Sequence, residues 1–303
     1  MMQRRNSIKN KKLTTGAFSQ PVAGNEILAD NAITTPVAAN HFKKSIMWEF
    51  IDAAGSVLDK CKAIKNAGFQ GIGMNSHMDC KEVTEAVEAT GLAITDMCCS
   101  THWNKPLSHP DAAVRQEGFE GAVVALEDAC AYGTDAMLLV PGRVNETVSY
   151  DECWNRSVES VKKLIPVAEK LKVMICMENV WNNFLLSPME ACRYVDQFNS
   201  PYVKFYFDCG NILAYGWPEQ WIRILGDRIA RIHIKEYSKQ IADRQGRAAG
   251  FKATLTEGDI DWPKVMQSIR KNYNHAWLSI EMKVKTLEDL KDLSVRFDKI
   301  LIM

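Results

Sequence analysis

Val173-Met174-Ile175-Cys176-Met177, then Ser187-Pro188-Met189-Glu190, then Val203-Lys204-Phe205-Tyr206-Phe207: this stretch decides the fold. The two outer runs are almost continuously apolar. A strand covered on both faces reads that way, whereas a half-exposed strand alternates. The segment between them opens on a serine N-cap, carries proline at the first helical position and places an acid three residues after the cap. The unit is therefore strand, helix, strand.

Working outward, the same alternation fills the chain from residue 43. Strands are expected at 44–48, 69–74, 93–98, 136–140, 173–177, 203–207, 230–234 and 277–280. Amphipathic helices are expected between them. Val57, Leu58, Cys61 and Ile64 mark one apolar stripe, Val158, Val161, Ile165, Ala168 and Leu171 a second, and Val265, Ile269 and Tyr273 a third. Strict alternation gives either a closed barrel or an open doubly wound sheet. Eight units fit the barrel, and no glycine-rich phosphate-binding fingerprint follows any strand, which weighs against the open nucleotide-binding sheets. The expected fold is a single (β/α)8 TIM barrel over residues 41–303. The longest irregular insert is expected at 238–257, after the seventh strand.

Composition narrows the class. The 303 residues suit one such barrel. Lys plus Arg and Asp plus Glu both number 37, and that balance argues against a nucleic-acid partner. Nine cysteines, an odd number with no C-x-x-C pair, read as small buried hydrophobes in a reducing compartment. No run is apolar enough to span a membrane. Residues 1–40 read as a leader or disordered extension. Arg4-Arg5-Asn6-Ser7-Ile8-Lys9 resembles a twin-arginine signal, but Lys11-Lys12 and Gln20 interrupt the apolar block such a signal needs. A cytoplasmic location is expected, or a periplasmic one if that segment works as an export signal.

Four successive strands end in a possible metal ligand: Glu178, Asp208, His233 and Glu281. Singly, each has an ordinary explanation. A strand-end glutamate is usually solvated or ion-paired, a histidine in Arg-Ile-His-Ile-Lys usually packs in a core, and an aspartate before Cys-Gly-Asn usually makes a turn. Four in register are different, because the strand ends of a barrel converge on one mouth. Burying three carboxylates there costs several kcal/mol unless a cation pairs them. Three carboxylates and one imidazole favour Mn2+, with Mg2+ or Co2+ as alternatives, over structural zinc.

The runs Glu178-Asn179-Val180-Trp181, Phe207-Asp208-Cys209-Gly210-Asn211, Ile232-His233-Ile234-Lys235-Glu236, Glu257-Gly258-Asp259-Ile260-Asp261-Trp262 and Ser279-Ile280-Glu281 resemble the xylose-isomerase-like barrel superfamily. The similarity is greatest to its sugar and sugar-phosphate isomerase and epimerase branch, which includes ketose 3-epimerases, L-ribulose- and L-xylulose-phosphate 3-epimerases and hydroxypyruvate isomerases. The resemblance implies that Glu178, Asp208, His233 and Glu281 hold one divalent metal ion and that Glu178 and Glu281 form the proton-transfer pair. Such chemistry runs through an enediolate, and return of the proton to the same or the adjacent carbon gives epimerisation or aldose–ketose isomerisation. Free-ketose epimerases of the tagatose type often carry histidine three residues after the strand-six Asp; this chain has Asn211 there, as Asp-x-Gly-Asn members of the phosphate-using branch do, so the resemblance counts against a free-ketose epimerase.

Further substrate-binding candidates are His102 and Trp103 after the third strand, Arg143 after the fourth, Asn211, and Lys235, which shares a strand face with His233. Lys235 is alternatively a structural partner of Glu236 or Glu257. The expected partner is a small-molecule sugar or sugar phosphate, and a homodimer or homotetramer is the expected assembly. Two other readings stand beside the isomerase: a non-catalytic sugar-binding barrel, and an endonuclease-IV-like DNA-repair enzyme, which would need many more strand-end histidines than this chain's six His residues supply.

Overall fold

The computed structural model describes residues 42–303. Eight strands, β1 Lys43–Met47, β2 Gly71–Asn75, β3 Ala93–Cys98, β4 Ala136–Leu139, β5 Met174–Glu178, β6 Val203–Asp208, β7 Ile229–Ile234 and β8 Trp277–Ile280, form one closed parallel barrel in chain order. Closure is made by β1 on β8, with Lys43 opposite Trp277 and Ile46 opposite Ile280. The expected (β/α)8 barrel is thus the observed fold, and all eight expected strands overlap observed ones. The leader expected at 1–40, with Arg4-Arg5, lies outside the described residues. Among the described residues, no helix is long and apolar enough to cross a membrane.

Local chemistry starts the helices. Ser56 Oγ accepts a hydrogen bond from Asp59 N, and the Asp59 carboxylate accepts one from Ser56 N, a reciprocal cap on the helix Val57–Asn66. Such a cap contributes about 1 kcal/mol. Ser187 caps Pro188–Asp196 as expected, accepting from Glu190 N at 3.2 Å. Val57, Cys61 and Ile64 are buried, and so are Val265, Ile269 and Tyr273.

Two expectations need correction. In the helix Tyr150–Leu171 the buried stripe runs through Cys153, Ser157, Val161, Leu164 and Ala168, with Val158 and Ile165 only half-buried. Small residues on that stripe let the helix lie close, and they are invisible to a reading that looks for large apolar groups. The insert after β7 is not irregular either. It holds a helix, Lys239–Gln245, and a 3-10 turn, Arg247–Lys252.

Most of the core lies between sheet and helices. A smaller cluster, Met47, Cys98, Ala136, Leu138, Cys176, Tyr206 and Ala230, draws on six different strands and so fills the barrel interior. The strand-end side chains of the mouth stand on this floor.

Candidate metal centre and active site

Glu178 and Asp208 are the last residues of β5 and β6, His233 lies in β7, and Glu281 follows β8 directly. Register sets Asp208 opposite His233, and Glu281 N donates to Ile234 O at 3.2 Å, which carries the β7–β8 ladder one step past the strand. All four side chains are buried, and one ligand atom from each lies within 4.8 Å of the others. His233 Nδ1 is 2.8 Å from Glu178 Oε1, 3.0 Å from Glu281 Oε2 and 3.9 Å from Asp208 Oδ2. Lys235 Nζ donates to Glu281 Oε1 at 2.7 Å and lies 3.8 Å from Asp208 Oδ2.

Three carboxylates and a ring nitrogen converge on one point, and such a set of acceptors is stable only around positive charge. Burial pushes the Glu178 carboxyl up, and the neighbouring Glu281 adds to it. Burial also pushes Asp208 well above the usual carboxylate range, although Lys235 opposes the shift. Burial would raise Glu281 too, but Lys235 and His233 outweigh it and hold that carboxyl low. For His233, burial disfavours the charged ring, yet the Glu281 and Glu178 carboxylates bring it to about 10. Lys235 is held above its ordinary value by Glu281 and Asp208 against its burial. Asp208 Oδ2, His233 Nε2 and Glu281 Oε2 are nevertheless buried without a hydrogen bond, Glu281 Oε2 keeping only its charge contact with His233 Nδ1. Buried polar atoms are seldom left so, and orphaned carboxylate oxygens in a set of hard donors fit a divalent cation.

The four converging groups are held by residues that say little on their own. Asp208 N donates to Asn179 Oδ1 and Asn179 Nδ2 donates to Asp208 O, both at 2.9 Å, while Asn211 Nδ2 donates to Asn179 O at 2.9 Å. The ends of β5 and β6 are thereby tied together. Asn211 N donates to Asp208 Oδ1 at 2.6 Å, which fixes one carboxylate oxygen and leaves the other toward the cluster. A Cβ on Gly210 would meet Lys235 O at 2.8 Å and Lys235 Cγ at 2.9 Å, so glycine there is what lets β7 lie against this turn. Glu236 points the other way. It accepts from Thr256 N and Trp262 Nε1 at 2.9 Å and from Tyr237 N at 3.1 Å, anchoring the far end of the insert. Lys235 therefore pairs with Glu281 rather than with Glu236 or Glu257, and Trp262 is a hydrogen-bonded anchor as well as a packing group.

Above the quartet is a cavity of about 240 Å3. Glu178 and Glu281 line it, while the fully buried Asp208 and His233 do not. His102, Trp103, Asn211 and Lys235 line it as well. Burial takes the His102 ring down to about 3, so it stays neutral, and its Nδ1 accepts from Val140 N at 3.4 Å. Arg143 is not brought to the cavity. Its side chain is exposed and off the lining, and its backbone N donates to Ser108 Oγ. Glu49 and Phe50 after β1, Cys98 at the end of β3, and Phe251 in the insert also line the cavity and were not singled out from sequence. For Glu49 the signal was available, since it follows the first strand as the four converging groups end later ones.

A family model described as the xylose isomerase-like TIM barrel matches residues 61–297. An L-ribulose-5-phosphate 3-epimerase, UlaE, of Escherichia coli is 26% identical over 209 residues, covering 68% of this chain and 70% of that protein. Among solved structures, the 3-keto-D-glucoside 4-epimerase YcjR from E. coli superposes with a TM-score of 0.72 at 15% identity, over 86% of this chain and 100% of that one. A D-psicose 3-epimerase with D-tagatose from Clostridium cellulolyticum superposes with a TM-score of 0.69 at 17% identity, over 85% and 98%. At such identities the structural likeness speaks for the fold alone, and it is the match across most of the barrel that assigns the lineage. The chain belongs to the xylose isomerase-like TIM barrel family.

Proposed function

We propose that this chain is a divalent-metal-dependent isomerase of a sugar or sugar phosphate, an epimerase or aldose–ketose isomerase, with Glu178 and Glu281 as its proton-transfer pair. One observation carries the reading: of the four converging buried groups, it is the two glutamates that also face the cavity. The curated relative is an epimerase, an enzyme of the isomerase class, which supports it.

Glu178, Asp208, His233 and Glu281 would hold the ion, with Mn2+ first and Mg2+ or Co2+ as alternatives. When bound, it supplies a Lewis acid that favours the enediolate charge on the substrate. The chain's own groups do the rest. One glutamate accepts the proton from the carbon beside the carbonyl, and the other returns a proton to that carbon or its neighbour. Asn211 and Asn179 keep Asp208 oriented, so the cluster needs no rearrangement when substrate enters. Phe50, Trp103, Trp181 and Phe251 wall the cavity and keep bulk water from the transferred proton. His102, Trp103, Asn211 and Lys235 stand where they would contact substrate. The partner is a small molecule rather than nucleic acid, the assembly a homodimer or homotetramer, and the nine free cysteines support a reducing, cytoplasmic compartment.

The experiment is metal analysis with solvent deuterium exchange on a panel of ketoses and ketose phosphates in D2O. The wild type is expected to bind Mn2+ and to place deuterium beside the carbonyl, and Glu178→Gln and Glu281→Gln each to lose about 100-fold or more in rate. Exchange that survives both substitutions would refute the assignment.

A further inference from the structure

The cavity carries a carboxylate that the metal quartet does not use. Glu49, just past β1, lines the same cavity as Glu178 and Glu281 and is exposed to it. Its Oε2 accepts a hydrogen bond from the buried Cys98 thiol at 3.5 Å. A thiol is a weak donor, and a carboxylate has about four lone-pair sites, so most of its capacity remains for a ligand. A divalent ion in the quartet would compensate the two glutamates that hold it but would leave Glu49 an uncompensated negative charge on the wall.

Among the described residues, Lys235 is the one cation on the lining, and it does not balance that charge. Its ammonium is bound to Glu281 at 2.7 Å and boxed between Phe50, at 5.6 Å, and Phe251, at 4.7 Å. Arg143 is off the lining. Arg247 is off it too and lies over the Trp181 and Tyr215 rings at 4.4 and 5.6 Å. The backbone N of Asn211, a donor at the start of the short helix Cys209–Leu213, is already taken by Asp208. A phosphate dianion is held best where free cations face it, and among the described residues this wall presents an acid instead. A sugar hydroxyl has the opposite need, and a hydroxyl-to-carboxylate hydrogen bond is among the stronger ones.

We propose that Glu49 sets the substrate class: it accepts a hydroxyl of an uncharged ketose and turns away the same ketose carrying a phosphate. The aromatic wall fits such a ligand, since apolar ring faces of a sugar pack on Trp and Phe. The volume is of monosaccharide scale. This inference rests on the isomerase reading above and narrows it, against the phosphate-branch likeness at Asn211, whose side-chain amide is spent on Asn179 O.

The test compares a neutral ketose with its phosphate ester in the Mn2+-loaded wild type and in Glu49→Gln, following deuterium exchange and product. The wild type should favour the neutral ketose in kcat/KM by about tenfold or more, because like charges set against each other are costly. Glu49→Gln should shrink that ratio by lowering the first value and raising the second. In metal-free protein, inorganic phosphate should leave the melting temperature unchanged. A wild-type preference for the phosphate, above all one that falls in Arg247→Ala, would overturn the inference. So would a ratio unchanged in Glu49→Gln, or a phosphate-induced rise in melting temperature. Exchange with neither ketose nor phosphate in Mn2+-loaded protein would instead overturn the isomerase reading, and this inference with it.

Discussion

Lys235→Met keeps the aliphatic stem between Phe50 and Phe251 and removes only the ammonium, which makes it a clean probe of charge in the quartet. At 2.7 Å the Lys235–Glu281 attraction is about 6 kcal/mol with an effective dielectric of about 20. Desolvation takes back much of that gross figure, and removing one member of a buried pair costs about 3–5 kcal/mol net. In a domain of this size such a loss lowers the melting temperature by roughly 5–9 °C. The loss should depend on metal. In chelator-treated protein the variant leaves Glu281 facing Glu178 and Asp208 with only His233 to compensate, and the full cost appears. With Mn2+ bound, the ion supplies the missing positive charge, so the deficit should shrink by at least half. Mn2+ should therefore stabilise the variant more than the wild type. Urea unfolding of both proteins, with chelator and with saturating Mn2+, reads the four free energies. Equal deficits in the two conditions would show that the ammonium and the metal do not neutralise the same charges, and the quartet would lose its main electrostatic support.

Two further outcomes follow from groups outside the quartet. Burial holds His102 at about 3, below its ordinary value of 6.5, so the unfolded chain binds a proton that the folded one refuses. Its contribution is intact above the unfolded value and is lost as pH falls from 6.5 toward 3, by about 2 kcal/mol between pH 6.5 and 5. Unfolding free energies at pH 7 and 5 should show that His102→Gln removes this part of the pH dependence, and an unchanged slope would contradict it. Glu236→Ala strands three donors, Tyr237 N, Thr256 N and Trp262 Nε1, and should cost about 3–5 kcal/mol, since hydrogen bonds to a charged acceptor are the stronger kind. Hydrogen exchange should then quicken across residues 237–257 before the rest of the barrel, and uniform quickening would place the anchor elsewhere.

Much of the fold was legible because parallel strands covered on both faces carry their signal in consecutive residues. The runs before Glu178 and Asp208 needed no knowledge of their neighbours, and the expected strands at 93–98 and 277–280 coincide with the observed ones. Convergence of Glu178, Asp208, His233 and Glu281 was also legible, because closing a barrel leaves strand ends nowhere else to go. Pairing was not. Lys235 had Glu236 beside it and Glu257 nearby in sequence, yet it binds Glu281, since its choice is set by the β7–β8 register. The lining supplied by Phe251 was equally hidden, as it depends on how far an insert folds back over the mouth. Its helix carries no strong apolar stripe and is held by Glu236, whose three donors come from separate places in the chain.

The four converging groups run from residue 178 to residue 281, so they span about two thirds of the second half of the chain. During synthesis the chain has three of them in hand long before β8 is made, and until β8 closes on β1 the fourth has no fixed place. A cation that binds only the complete set rewards the finished barrel and nothing earlier, adding stability in proportion to the logarithm of its concentration over its dissociation constant. If the four groups hold a cation as proposed, metal affinity is thus also a readout of whether the last strand has reached the first, and a chain truncated before Glu281 should be blind to metal however much of the sheet it has formed.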